Sequence, residues 1–311
     1  MRVQFVKTLI EMAEQDERIL LLTGDLGFTV LEPFRDKFPQ RFLNAGVAEQ
    51  NMVGLATGLA EDGFLPFVYS ITTFATLRPF EFIRNGPVLH QLPVRIVGIG
   101  AGFDYGGAGP THHALEDLGV MRTQPSLTIV APADYQQTAN ALWATKDIAG
   151  PVYYRLGKDE RTAIPGLEGR FQMGRAQTCR EGTDLLFIAT GSITAEVVAA
   201  ADVLAQRGVN SRVMVVASVN PAPVEDIAEA LSLFPAALTV EAHYTVGGLG
   251  SLVCEIAAER ALNCRIVRCG VKDPPAAATG SSDYLNHLHG LSARALVETA
   301  WRTLTVGELA Q

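Results

Sequence analysis

Side chains able to do acid–base work near neutral pH fall in a few glycine-containing stretches. In Asn44-Ala45-Gly46-Val47-Ala48-Glu49-Gln50-Asn51-Met52 the chain reads as a strand end, a tight turn at Gly46 and a helix start. Glu49 lies in the first turn of that helix, where the helix dipole favours a carboxylate, and Val47, Ala48, Met52 and Val53 around it are small or apolar. The same pattern serves a surface glutamate that only steadies its own helix. The loop from Gly98 to His113 holds six glycines, which let backbone approach a ligand, and ends in His112-His113. Adjacent side chains point apart, so at most one of the two histidines faces a given site. Thr23-Gly24-Asp25-Leu26-Gly27 closes a strand, where parallel sheets bind ligands, but it is neither a dinucleotide fingerprint nor a P-loop. Glu241-Ala242-His243-Tyr244-Thr245-Val246-Gly247-Gly248-Leu249-Gly250-Ser251 opens a helix and fits a tight connection better than an anion cradle. There is no G-x-S-x-G nucleophile elbow, and no cluster has zinc-ligand spacing.

These stretches need a scaffold that delivers strand ends side by side. Short β-branched or aliphatic runs at Ile19–Leu22, Leu65–Tyr69, Val94–Gly98, Thr128–Val130 and Val152–Tyr154 alternate with helical patterns at Val47–Glu61, Phe74–Arg84 and Tyr135–Thr145. Such alternation predicts a mostly parallel sheet covered on both faces. Residues Asp159–Arg180 lose periodicity and read as a linker. A second series follows, with strands Leu185–Ala189, Arg212–Val216, Leu238–Glu241 and Arg265–Cys269 and helices Ala195–Gln206, Leu252–Ala261 and Ser292–Thr303. The expectation is two consecutive α/β domains, residues 1–175 and 176–311.

Composition narrows the class. With 25 Lys+Arg against 33 Asp+Glu, the formal charge of −8 disfavours nucleic acid and anionic membrane as partners. No run of apolar residues is long enough to span a bilayer, and the N-terminus lacks a secretory pattern. Cys179, Cys254, Cys264 and Cys269 form no CxxC and read as buried thiols of a cytoplasmic protein.

Taken in order, Gly46-Val47-Ala48-Glu49-Gln50, Thr73-Phe74, Gly109-Pro110-Thr111-His112, Ala131-Pro132-Ala133-Asp134, Glu241-Ala242-His243 with Gly247-Gly248-Leu249-Gly250, and Gly270-Val271-Lys272-Asp273 resemble the C-terminal half of transketolase across the whole chain. That half comprises a pyrimidine-binding domain and a C-terminal domain. The resemblance implies thiamine diphosphate as coenzyme. Glu49 matches the glutamate that bonds the aminopyrimidine, so that the exocyclic nitrogen can take the thiazolium C2 proton; an apolar pocket would strengthen that bond. Phe74, Leu77 and Phe80, spaced along one predicted helical face, match the pyrimidine wall, with Asp25 and Leu26 as further coenzyme contacts. His112 matches a substrate-side histidine. Arg155 matches an arginine that clamps the sugar phosphate, a role suited to its planar fork, and Arg2 and Thr29 fall near a second phosphate contact.

Two polar substrate contacts of typical transketolases are replaced, by Gly100 and by Ala108, and Pro274-Pro275-Ala276-Ala277-Ala278-Thr279-Gly280 departs from the usual loop. A site that loses hydroxyl-binding groups changes its accepted substrate, so a non-standard sugar is expected. The Gly-Asp-Gly and Asn pair that hold diphosphate and Mg²⁺ in a complete transketolase are missing, and no metal ligands are assigned in this chain. The resemblance therefore implies the pyrimidine-side subunit of a split enzyme: a dimer of this chain within an α2β2 complex, with a separate subunit holding diphosphate and Mg²⁺. The alternative is a related coenzyme user with a 2-oxoacid donor: an acyloin synthase, a deoxyxylulose-phosphate-synthase-like enzyme or a 2-oxoacid dehydrogenase β subunit.

Overall fold

The computed structural model describes residues 1–274 and 278–308. Among them, twelve strands form two sheets: β1 Ile19–Thr23, β2 Phe42–Asn44, β3 Leu65–Ile71, β4 Arg95–Ile99, β5 Thr128–Val130, β6 Val152–Leu156, β7 Gln177–Arg180, β8 Leu185–Ala189, β9 Ser211–Val215, β10 Ser218–Asn220, β11 Ala236–Tyr244 and β12 Arg265–Val271. The first sheet runs β10-β5-β6-β4-β3-β1-β2 and the second β12-β11-β8-β9-β7. All pairs are parallel except β10–β5 and β7–β9 at one edge of each sheet. The central strands are buried on both faces, as β1 and β4 are throughout, which is why they read as continuous aliphatic runs.

The two halves are less separate than composition suggested. Strand β10, from the second half of the sequence, extends the first sheet beside β5. One apolar cluster joins Leu20, Ile96 and Tyr153 to Leu186, Met214 and Ile227. The connector after β6 is pinned as well. Asp134 accepts the Ile164 N–H, Gln137 and Asn140 donate to the carbonyls of Arg170 and Gly169, and Ile164 and Leu167 bury against Ala133 and Val215.

The predicted helix Phe74–Arg84 does not exist as one piece. The chain forms helix Thr72–Thr76, breaks, resumes as Phe80–Ile83 and widens into a π-type turn over Arg84–Val88. Pro79 lacks a backbone N–H and disfavours helical geometry at Arg78, and Pro87 sits in the π-type turn. The N-terminal helix Arg2–Gln15, unassigned from the sequence, buries Phe5, Leu9 and Met12 beneath the first sheet, with Phe5 stacked 5.7 Å from Tyr69.

Candidate functional site

Strand β1 lies between β2 and β3; the connection after β1 runs to β2 on one side, and the connection after its neighbour β3 runs to β4 on the other. A doubly wound sheet opens a crevice at such a reversal, at the carboxyl ends of its strands. The loops after β1 and β2 are stitched together there by Asn44. Its amide donates to Asp25 Oδ1, and its carbonyl oxygen accepts from the N–H groups of Asp25 and Gly46, each at 3.0 Å. This brace turns the chain into helix Glu49–Glu61, whose first residue is Glu49.

Glu49 is 2% exposed. Its Oε1 accepts from Ser70 Oγ at 3.0 Å, and its Oε2 accepts from Arg78 Nη1 at 2.9 Å. Gly24 adjoins it so closely that a Cβ there would lie 3.3 Å from Oε1. The surroundings are therefore not simply apolar, as the flanking residues had suggested: a hydroxyl and a guanidinium face the carboxylate. Phe74 lies alongside, with the Arg78 guanidinium 3.9 Å from its ring centroid. The His112 ring packs edge-to-face with the same ring, 5.0 Å between centroids.

From His112 a row of side chains leads outward. Its Nδ1 lies 3.0 Å from Thr111 Oγ1, and its ring is 6.4 Å from Tyr105. The Lys158 ammonium sits 4.2 Å from the Tyr105 ring centroid, and Arg2 lies beside the Tyr105 hydroxyl. Burial pushes that phenol's pKa up, and Asp104, whose carboxyl burial also raises, accepts the Lys158 N–H at 2.8 Å. Gly100 has φ +85°, and a Cβ there would come within 2.2 Å of the Tyr105 ring. Tyr105 thus fills the space that a side chain at position 100 would need. His113 turns the other way, buried edge-to-face with Phe103, 5.1 Å between ring centroids.

The other expected site residues are distributed unevenly. Leu77 is 39% exposed in the break between the two short helices, and Phe80 packs against the main core, so the expected three-residue wall reduces to Phe74 beside Glu49. Asp25, at φ +58°, belongs to the Asn44 brace, and the Leu26 carbonyl accepts from Thr23 Oγ1. Thr29 is exposed, with its N–H donated to Glu32, and Arg2 pairs with Glu160 at 3.5 Å.

Arg155 contradicts its expected role. It is 1% exposed, and the Nε and Nη2 of its guanidinium are engaged inside the protein. Nε donates to Asp117 Oδ2 at 2.7 Å, and Nη2 donates to Asp117 Oδ1 and to the carbonyls of Ala114 and Ala242. A strand residue pointing into the core between the two sheets cannot also grip a ligand phosphate. Lys158 and Arg2 lie beside Tyr105 instead. The helix N-terminus at Leu249 likewise serves the chain itself, because Glu241 accepts the N–H groups of Leu249 and Gly250. A Cβ on Gly248 would overlap that carboxylate.

Asn44, Ser70 and Arg78 were missed from sequence. Ser70 had a signal, a small hydroxyl side chain near the end of a mostly apolar strand. Arg78 had none, because its placement depends on the break at Pro79. Of the departing 274–280 loop, residues 275–277 lie outside the described residues. Among the described residues no helix is long and apolar enough to cross a membrane, and no group of three His, Cys, Asp or Glu could hold a metal.

Family models for the transketolase pyrimidine-binding domain and the transketolase C-terminal domain match residues 1–162 and 174–296. A putative transketolase C-terminal section from Methanocaldococcus jannaschii is 35% identical, over 96% of this chain and 94% of its own length. A subunit of the apulose-4-phosphate transketolase of Phocaeicola vulgatus is also 35% identical, covering 96% of each. A solved split-gene transketolase, an inactive beta4 tetramer, superposes with a TM-score of 0.88 at 36% identity over 98% of both chains. Matching both halves in order, and relatives along nearly their full length, the chain belongs to the transketolase family, as a counterpart of its C-terminal half.

Proposed function

We propose that this chain is the pyrimidine-side subunit of a two-chain, thiamine-diphosphate-dependent transketolase that moves a two-carbon ketol unit to or from a non-standard anionic sugar. The observation that carries the reading is Glu49, a buried carboxylate at the sheet's reversal point, anchored by Ser70 and flanked by Phe74. These residues fit the coenzyme's aminopyrimidine: a flat nitrogen heterocycle needs a carboxylate at a ring nitrogen, an aromatic face, and backbone able to come close, as Gly24 allows. When bound, thiamine diphosphate supplies the carbon nucleophile that the sugars themselves lack.

The chain's own residues have the remaining roles. Glu49 holds a proton at the ring nitrogen, and Phe74 orients the ring. Asp25 and Leu26 keep the loop beside Glu49 in place, with Leu77 supporting from the break between the two short helices and Phe80 from the second of them. His112 stands at the substrate end to move a proton to or from a sugar hydroxyl. With Arg155 engaged elsewhere, the anionic end of the sugar meets Lys158 and Arg2 beside Tyr105, with Thr29 as a further contact. Gly100 and Ala108 offer no polar side chain there, which favours a sugar other than the ordinary pentose phosphates. The relative named for apulose 4-phosphate supports this.

The diphosphate and Mg²⁺ are assigned to a separate subunit of the cytoplasmic enzyme. Full-length likeness to one protein called a C-terminal section and to another called a transketolase subunit supports that division. The beta4 tetramer of the split-gene relative supports self-association within an α2β2 assembly. The test is reconstitution of the full chain with a diphosphate-side subunit, coenzyme and Mg²⁺, followed by product analysis. Ketol transfer from a ketose phosphate only when both subunits are present is the expected result. Turnover of pyruvate in place of a ketose, or activity of this chain alone, would overturn it.

A further inference from the structure

Glu49 is held by one partner that is fixed and one that can leave. Ser70, on Oε1, is fully buried in β3. The side chain of Arg78, on Oε2, is 44% exposed against 1% for that of Glu49. Arg78 also lies in the break between helices Thr72–Thr76 and Phe80–Ile83, so swinging it outward unwinds neither helix. Its guanidinium sits 2.9 Å from Oε2 and 3.9 Å from the centroid of Phe74. The group placed there is flat, carries N–H donors in its plane, and lies over an aromatic face. A protonated aminopyrimidine meets the same description. The two cannot share Oε2 and one face of Phe74 at once.

We infer that Arg78 stands in for the coenzyme's ring in the unloaded chain. It is a positioning residue that keeps a buried carboxylate paired and the slot open, and coenzyme binding displaces it from Oε2 toward solvent. This rests on the reading that Glu49 seats the pyrimidine. It adds that affinity is set by a competition within this chain, and that the charge of Glu49 is never left buried and alone.

The test uses the full chain, freed of coenzyme and titrated with thiamine, which carries the two rings without the diphosphate. Arg78→Met keeps the apolar stem and removes the donors; Arg78→Lys keeps the charge without the flat fork. Losing a partly exposed ion pair and one cation–π contact predicts thiamine binding roughly 3- to 30-fold tighter in Arg78→Met, with Arg78→Lys between it and the parent. Without thiamine, Arg78→Met melts below the parent, and saturating thiamine closes the gap. Equal or weaker binding by Arg78→Met, or no difference between the chains, overturns the inference. Glu49→Gln in both Arg78 backgrounds separates the two levels. Loss of thiamine binding in both keeps the pyrimidine seat and leaves Arg78 to be judged by the first comparison. Thiamine binding indifferent to Glu49→Gln overturns the seat itself.

Discussion

Replacing Arg155 by methionine removes a strut inside the protein. Its guanidinium makes two hydrogen bonds to Asp117 and two to the carbonyls of Ala114 and Ala242, with 1% exposure for its side chain and 0% for that of Asp117. Tyr153 is a further donor to Asp117, at 2.7 Å. Methionine would leave a buried carboxylate with one hydroxyl for company and would remove a donor from each of two carbonyls. Breaking a buried pair from one side costs about 3–5 kcal/mol. In a domain of this size that lowers Tm by roughly 6–20 °C.

The pH dependence carries a sign. Burial alone would raise the pKa of Asp117, but Arg155, with smaller help from His243 and Tyr153, brings it below the usual 3.8. The stabilisation it gives is therefore present above that unfolded value and is lost as pH falls through the depressed folded one. In Arg155→Met, burial is largely unopposed, the folded carboxyl titrates higher than in the unfolded chain, and the deficit shrinks as the solution is acidified. Circular-dichroism melts of the full chain from neutral pH down to about pH 4 read this directly. Asp117→Asn added to Arg155→Met restores part of the loss, because an amide costs less to bury than a charge. An unchanged Tm combined with a raised KM for a phosphorylated sugar would refute the strut and restore the clamp.

Lys158→Met is expected to do the converse, raising KM for an anionic sugar roughly 10- to 100-fold in the reconstituted enzyme while the melt stays nearly unchanged. His113 is buried without a hydrogen-bond partner on either ring nitrogen, and burial chiefly holds its pKa below 6.5. Its charging opposes folding as pH drops below that value, so His113→Leu should flatten the acid side of the stability profile measured by urea unfolding at several pH values. Gly100→Ala places a methyl group at φ +85° against the Tyr105 ring and should cost about 1–3 kcal/mol, partly recovered by Tyr105→Ala in the same melts.

Sequence alone carried the architecture further than the site. Parallel strands betray themselves as aliphatic runs, so β1, β3, β4, β6 and β8 could be placed within a residue or two. Edge strands such as β2 and β10, each three residues long, are too short to leave a clear pattern. Glu49 and His112 could be singled out because glycine turns and strand ends mark where ligands approach. Arg155 was misread for a physical reason: an arginine in a strand has the same local sequence whether it points to a crevice or into a core, and only Asp117, distant in sequence, decides which. The split of the helix after Phe74 was written at Pro79 and Pro87, and periodic apolar spacing masked it.

In the proposed reading, Glu49 acts on the coenzyme from across its pyrimidine ring. The most direct measurement is the rate at which the thiazolium C2 proton exchanges with deuterium in the assembled two-subunit complex, with saturating coenzyme and no sugar. Glu49→Gln should slow that exchange about 10²- to 10⁴-fold while the complex stays assembled. Exchange at the parent rate in an intact Glu49→Gln complex would contradict the account.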